Sequence, residues 1–436
     1  MKILVLSIGT RGDVEPMVAI AEVLMRYGHD VTCAFSGEFR YLVENGPMEF
    51  ISLGSEYMEV LKTDTAQKAI GGRQSGIGKL ISQLRFVKKH LDIEKDTIEK
   101  QYQAVQQADP DLVVHNGISF YPFVWMLDHP GQTVLISAVP YGIHYVHDHP
   151  YILFKRNFGP FLNRFTYKLA EDGAANSTRR AMKHLNYDRK ITKGEIIRAA
   201  RKVKTVYAIS NSLFEEPDYW EDWTVVSGFF ERRQSIEFTP DEELVSFLTR
   251  HQKIVFISMG SMVNPNPEFL TTMFLDILQK LNIPAIFATN AGAFITPDSF
   301  DNHLFYFTKT IPYHWIFPQV YAVIHHGGSG TVHTALKYGC ASMAIPHFID
   351  QFLWNKIIWK KGAGPKGIKI SKITRQNLEP LILDLYQNPE YRQNAESISA
   401  QMAQESSEEK LHEFITNAHF PEPRASGKQS GNYPRA

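Results

Sequence analysis

Ala322-Val323-Ile324-His325-His326-Gly327-Gly328-Ser329-Gly330-Thr331 is the stretch that decides how this chain is read. The apolar run Tyr321–His325 has the length and character of a buried strand, and a helical period resumes over Thr331–Tyr338. A strand-to-helix turn needs one glycine, whereas this one has three beside paired histidines. Glycines let backbone N–H groups approach an oxyanion, and the amino end of the helix adds a favourable dipole. A phosphate or diphosphate is therefore expected at this turn. Gly260-Ser261, which ends an earlier strand, is placed to donate from the opposite side.

The same alternation of strand and helix surrounds the turn. Ile254–Ser258, Ile283–Ala288 and Ala341–Ile345 read as further strands and Glu268–Leu281 as a helix. An equivalent pattern opens the chain, with a strand over residues 2–8, a helix over 15–27 stopped by Gly28, and a strand over Asp30–Phe35. Leu112–His115, Thr133–Ala138 and Thr205–Ile209 extend that first sheet. Strand, helix, strand within about 35 residues is a βαβ unit and implies a parallel sheet. Two doubly wound sheets follow one another, and ligands of such sheets bind beyond the carboxyl ends of the strands. The site is expected in the cleft between two Rossmann-like α/β domains, 1–225 and 244–390. Residues 226–243 read as a linker, 391–418 as helices returning to the first domain, and 419–436 as a disordered tail.

Composition limits the alternatives. The 436 residues exceed one hydrophobic core, and 44% hydrophobic with 21% charged residues is ordinary for a folded protein. Lys+Arg and Asp+Glu are equal at 46 each, so no global positive field would hold a nucleic acid. The two cysteines, Cys33 and Cys340, exclude a disulfide framework and fit a reducing compartment. The apolar start Met1–Ile8 runs at once into Gly9-Thr10-Arg11-Gly12-Asp13, too polar for a signal peptide, and nowhere are about 20 consecutive apolar residues found. A cytoplasmic location is expected, with peripheral membrane contact still open.

Several motifs fail on inspection. Gly72–Lys79 resembles a Walker A loop, but its first glycine is one place off and Leu80 stands where Ser or Thr would hold magnesium. Asp109-Pro110-Asp111 precedes a strand and reads as a helix-to-strand turn rather than a metal site. His144, His147 and His149 crowd one loop without a zinc spacing. Gly9-x-x-Gly12 lacks the dinucleotide fingerprint, so no nicotinamide cofactor is expected.

The glycine turn, followed by Ala335-Leu336-x-x-Gly339, Pro346 and Asp350-Gln351-x-x-Trp354, resembles the donor signature of family 1 glycosyltransferases of the GT-B fold. Gly9–Pro16, Asn163-Arg164-x-Thr166-Tyr167 and Gly362–Lys366 resemble the sterol and antibiotic branch of that family. The resemblance implies an inverting enzyme that moves a hexose, glucose from UDP-glucose, to a hydroxyl of a lipophilic acceptor. It implies no cofactor and no metal, the UDP-sugar being a co-substrate. It places the diphosphate against His326, Gly328, Gly330 and Thr331 with Ser261 opposite, and the hexose on Asp350 and Gln351 beside Trp354. The base edge would meet the backbone at Ile311, although Tyr313 and His314 depart from the branch there. Asp13 stands at the position of the catalytic base. It reads as an exposed carboxylate of ordinary pKa, near 3.9, or as the N-cap of the following helix. Asn116, Phe120, Tyr141 and His144 are the acceptor candidates.

Residues 120–167 hold 12 Phe, Tyr and Trp, twice the chain's average density. Phe158, Phe161, Leu162, Phe165 and Leu169 share one helical face. Core packing is the first reading of that face, an acceptor pocket the second and, beside Lys155, Arg156, Arg164 and Lys168, a membrane surface the third. Two other functions share the fold: a nucleotide-sugar epimerase, disfavoured by the aromatic stretch, and a non-catalytic accessory protein, disfavoured by the presence of Asp13 and Asp350. The oligomeric state is left open.

Overall fold

The computed structural model describes residues 1–44, 46–56, 94–154, 156–233, 238–289, 292–405 and 407–417. The Gly72–Lys79 motif, Lys155 and the tail from residue 419 lie outside them.

Two all-parallel sheets form the frame. The first joins β1 (Lys2–Leu6), β2 (Asp30–Phe35), β3 (Glu49–Ser52), β4 (Leu112–Asn116), β5 (Thr133–Ser137), β6 (Lys204–Tyr207) and β7 (Thr224–Val226). Their spatial order is β3-β2-β1-β4-β5-β6-β7. The second joins β8 (Val255–Ser258), β9 (Ala285–Ala288), β10 (Phe305–Thr308), β11 (Ala322–His325) and β12 (Ala341–Ala344) in the order β10-β9-β8-β11-β12.

Burial on both faces explains the unbroken apolar strands. Ile3 and Val5 of β1 enter one hydrophobic cluster with Val18 and Leu24 of the Arg11–Arg26 helix, whereas Leu4 and Leu6 enter another with Ile98 and Trp125. Val255 and Ile257 likewise face Phe274 and Phe287, while Phe256 faces Ile316 and Phe317. Each sheet reverses its chain order beside its first strand, at β1/β4 and at β8/β11. Those are the two switch points where crevices open.

The domains are fastened together. Tyr207, Ile209 and Phe214 of the first domain share a buried cluster with Leu336, Trp354 and Ile358 of the second. The segment read as a linker begins inside β7, and its Arg232 reaches Glu15 and Glu22 while Glu231 holds Lys337 at 2.6 Å. The final helix, Glu408–Thr416, buries Leu411 and Ile415 in the core of the first domain. Both cysteines are buried and free. Among the described residues, no helix is long and apolar enough to cross a membrane.

The aromatic face of the Pro160–His184 helix is not core. Phe158, Phe161, Leu162, Phe165 and Leu169 are exposed, Phe161 to 85%, and Asn163, Thr166 and Tyr167 point inward instead. Hydrogen bonding decides this orientation: Asn163 donates to the His147 carbonyl at 3.0 Å and accepts from the Phe158 N–H, and the Thr166 hydroxyl accepts from the Tyr151 N–H at 2.8 Å.

Candidate active site

Asp13 lies in the first turn of the Arg11–Arg26 helix, just beyond β1. Its Oδ2 accepts from the Thr10 backbone N–H at 2.8 Å and from the Thr10 hydroxyl at 3.1 Å. Thr10 is the N-cap and Asp13 the third helical residue of a capping box, which corrects the reading of Asp13 as the cap. Gly9 stands at φ 118°, and a Cβ there would lie 2.4 Å from Asp13 Oδ2, so only glycine leaves the carboxylate its place. Asp13 is partly buried rather than exposed, and burial raises its pKa against the lowering pull of the Thr10 hydrogen bonds.

On the opposite wall, β11 ends at His325 and the Ser329–Lys337 helix begins at the glycine turn. His325 Nδ1 accepts from the Gly327 N–H at 3.0 Å, leaving its buried Nε2 without a partner. The ring of His326 sits between two glycines. A Cβ on Gly260 would lie 2.5 Å from its Cε1 and one on Gly328 2.3 Å from its Nε2. Burial, then the neighbouring His325 and His347, pushes the His326 pKa down to about 3, so the imidazole is neutral and has one N–H to offer. The turn thus assembles Gly328, Gly330 and Thr331 at a helix amino terminus, with Ser261 beyond the end of β8. Ile311 is buried against Phe256 and Phe317 beside that wall.

Asp350 opens the Asp350–Lys360 helix behind Ile349, which is held at φ 35°. Burial first and the negative field of Asp13 next raise its pKa to about 7. The carboxylate of Asp13, from the first domain, is thus near enough to act on Asp350 of the second. Gln351 is turned to structure: its Oε1 accepts from the His347 N–H at 2.7 Å and its amide N–H reaches the Met262 sulfur at 3.7 Å. Trp354 is fully buried with its ring 4.9 Å from His333, so it backs the site and does not line it.

The four acceptor candidates divide. The Asn116 amide donates to Ser7 Oγ at 2.9 Å and the Ile8 carbonyl at 2.7 Å and accepts from Ser119, bracing the end of β1 from below. His144 is committed to Tyr207 Oη at 3.1 Å and Thr224 at 3.3 Å, and burial pushes its pKa down to about 4. Neither has a free polar group for a ligand. Tyr141 stacks on His149 at 4.0 Å, and Phe120 is partly buried near Tyr121 and Trp125. Asp111 accepts from the Lys2 N–H at 2.8 Å at the amino-terminal edge of β1, the end of the sheet away from the cleft.

Two contributors escape sequence reading. Tyr313, marked in the sequence only as a departure from the branch, packs on Phe317 at 4.6 Å and brings its hydroxyl 2.9 Å from Ser258 Oγ at the end of β8. Thr10 orients Asp13, and its signal is present as the Thr-x-x-Asp spacing before a helix.

Comparisons with known proteins bear on the family and the fold. Residues 3–121 match the glycosyltransferase family 28 N-terminal domain, and 305–415 match the erythromycin biosynthesis protein CIII-like C-terminal domain. Two sterol 3-beta-glucosyltransferases of Arabidopsis thaliana are 27% identical over 406 and 426 residues, covering 88% and 93% of this chain. The matches cover 62% and 63% of those relatives, so the chain spans under two thirds of their length. In fold, the chain is similar to the glycosyltransferase of kitacinnamycin (TM-score 0.69, 14% identity, covering 95% of this chain and 98% of that one). It is also similar to the calicheamicin glycosyltransferase CalG4 (TM-score 0.66, 13% identity, 96% and 98%). Matched at both ends by glycosyltransferase domains and built on two facing parallel sheets, the chain belongs to the family 1 glycosyltransferases of the GT-B fold.

Proposed function

We propose that this protein is an inverting glycosyltransferase that moves glucose from UDP-glucose to a hydroxyl of a lipophilic alcohol, with sterols the first class to test. The observation that carries the reading is the glycine turn at the amino end of the Ser329–Lys337 helix, with the His326 ring held between Gly260 and Gly328 and the charge of Asp13 near enough to act on Asp350. Sterol and glucose are named for the curated relatives, and thymidine diphosphate occupies a spinosyn rhamnosyltransferase of the same fold (TM-score 0.61, 17% identity, covering 94% of this chain and 98% of that one). Uracil and thymine donors are therefore both in the test.

In this reading the diphosphate rests on the N–H groups of residues 328–331 and on the neutral His326, while Asp350 accepts from hexose hydroxyls. The acceptor oxygen attacks the anomeric carbon from the face opposite the diphosphate. As that C–O bond forms, the bond to the phosphate oxygen breaks, and the hydroxyl proton passes to Asp13. A carboxylate whose pKa is raised toward the working pH is a better general base than an exposed one, and such help is worth about 10²–10⁴ in rate. The helix terminus and His326 meet the charge of the leaving group, so transfer is proposed to run without a metal and without a cofactor. Two free, buried cysteines are compatible with the cytoplasm as its compartment. The experiment is a mass-spectrometric screen of sterols and other lipophilic alcohols with UDP- and TDP-glucose, read as a product gain of one hexose. Donor hydrolysis without any glycosylated product would contradict the reading.

A further inference from the structure

Among the described residues, the outer face of the Pro160–His184 helix is left exposed. Phe161, Leu162, Phe165 and Leu169 lie along it, with Phe158 and Leu153 continuing the apolar surface before the helix begins. A contiguous exposed patch of this kind marks an interaction surface rather than ordinary scattered apolar residues. The helix cannot hide it by turning, because its inner face is pinned by polar contacts. Asn163 is bonded to His147, Asn157 and Phe158, Thr166 to Tyr151, and the Tyr145 hydroxyl donates to the Pro160 carbonyl at 2.9 Å.

Charge selects the occupant. Between Asp148 and Glu171 the sequence contains Lys155, Arg156, Arg164 and Lys168 and no acid, in a protein whose formal net charge is zero. Arg156, Arg164 and Lys168 are exposed, and Arg164 and Lys168 flank the apolar stripe along one side. The first acids beyond, Glu171 and Asp172, are held at 2.7 Å by Arg201 and Lys193. Exposed aromatic and leucine side chains bordered by cations fit the interface of an anionic bilayer, where rings enter the acyl boundary and the cations meet lipid phosphates.

We propose that this helix docks the protein on an anionic membrane surface through Phe158, Phe161, Leu162, Phe165 and Leu169, flanked by Arg164 and Lys168. Docking there brings the 139–152 loop, which carries Tyr141 and is bonded to the same helix, to the lipid, so a lipophilic alcohol could pass from bilayer to cleft. That last step rests on the proposed function. The docking itself does not.

The test is co-sedimentation of the full chain with vesicles of phosphatidylcholine alone and of phosphatidylcholine containing about one third phosphatidylserine. Wild type is expected to pellet with the anionic vesicles and to be released by high salt. Phe161→Ser with Phe165→Ser should lower the partition coefficient at least tenfold with an unchanged melting temperature, and Arg156→Glu with Lys168→Glu should lower it several-fold. Hexose transfer to a water-soluble alcohol should be unaffected in both variants, which separates failure of docking from failure of the catalytic reading. Wild type that stays in the supernatant with both vesicles overturns the proposal. So does equal partition of the serine variant, or a wild-type dimer that the serine substitutions dissociate.

Discussion

The backbone N–H of Ser210 donates to Nε2 of His333 at 3.1 Å, joining the loop after β6 to the helix that opens on the glycine turn. His333 Nδ1 lies 2.8 Å from the Ser329 carbonyl, which fixes Nδ1 as the protonated nitrogen, and Phe229 stacks on the ring at 4.8 Å. One neutral imidazole thus couples the two domains within a turn of the glycine-rich segment. His333→Ala would leave the buried Ser210 N–H unsatisfied, at a cost of about 1–3 kcal/mol. The expected outcome is a lower melting temperature by calorimetry.

The histidines also set an acid limit. Burial lowers His144 and His333 to about 4 and His325 and His326 to about 3, whereas unfolded they titrate near 6.5. The unfolded chain therefore binds more protons below pH 6.5, and stability falls as pH drops from 6.5 toward 4. Chemical denaturation at stepped pH should show that slope, and His333→Gln should be less steep.

Asp350 has the opposite sign. Its pKa of about 7 in the fold exceeds the ordinary carboxylate value, so the folded state holds its proton more tightly and loses relative stability as pH rises from about 4 through 7. Asp350→Asn should melt a few degrees higher than wild type at pH 8 and equal it near pH 4. Nucleotide-sugar affinity in wild type should weaken below pH 7, where the carboxylate becomes a carboxylic acid, and the Asn variant should bind weakly at every pH.

Gly330 separates space from ligand. A Cβ there meets nothing within 4 Å, and alanine favours a helix over glycine. Gly330→Ala should fold as well as wild type yet bind nucleotide sugar at least tenfold more weakly in calorimetry, because the methyl group would occupy the place of the phosphate. Gly260→Ala should fail differently, displacing His326 in the absence of any ligand.

Much of this was legible in the chain itself, and the exceptions share physical causes. The interior strands are apolar on both faces and announce themselves. The three strands missed, β3, β7 and β10, are all at sheet edges, three or four residues long, and β3 and β10 are mostly half-exposed. The 158–169 face was misjudged because periodicity reports that a face exists, not which way it points. Asn163 and Thr166 outbid the phenylalanines through hydrogen bonds that spacing cannot show. The glycine turn was readable because its chemistry is local. The surroundings of Trp354 and His144 were not, because His333 and Tyr207 lie 21 and 63 residues away from them, and Gln351 is held by its own loop through the His347 N–H in a turn that spacing does not show.

Chelation bears on the leaving-group account. With residues 328–331 and His326 meeting the diphosphate, EDTA should leave the rate of hexose transfer within about twofold, and a strict requirement for added magnesium or manganese would contradict it.

Asp13 is where the account is most exposed. Asn can accept from Thr10 as Asp does and so keep the capping box, but it cannot take up the acceptor's proton. The decisive measurement is the single-turnover rate of hexose transfer to a sterol by wild type and Asp13→Asn at neutral pH, with donor affinity measured on the same samples. The account predicts an unchanged donor Kd and melting temperature with a rate lowered about 10²–10⁴-fold. An Asp13→Asn protein that transfers at the wild-type rate would contradict it.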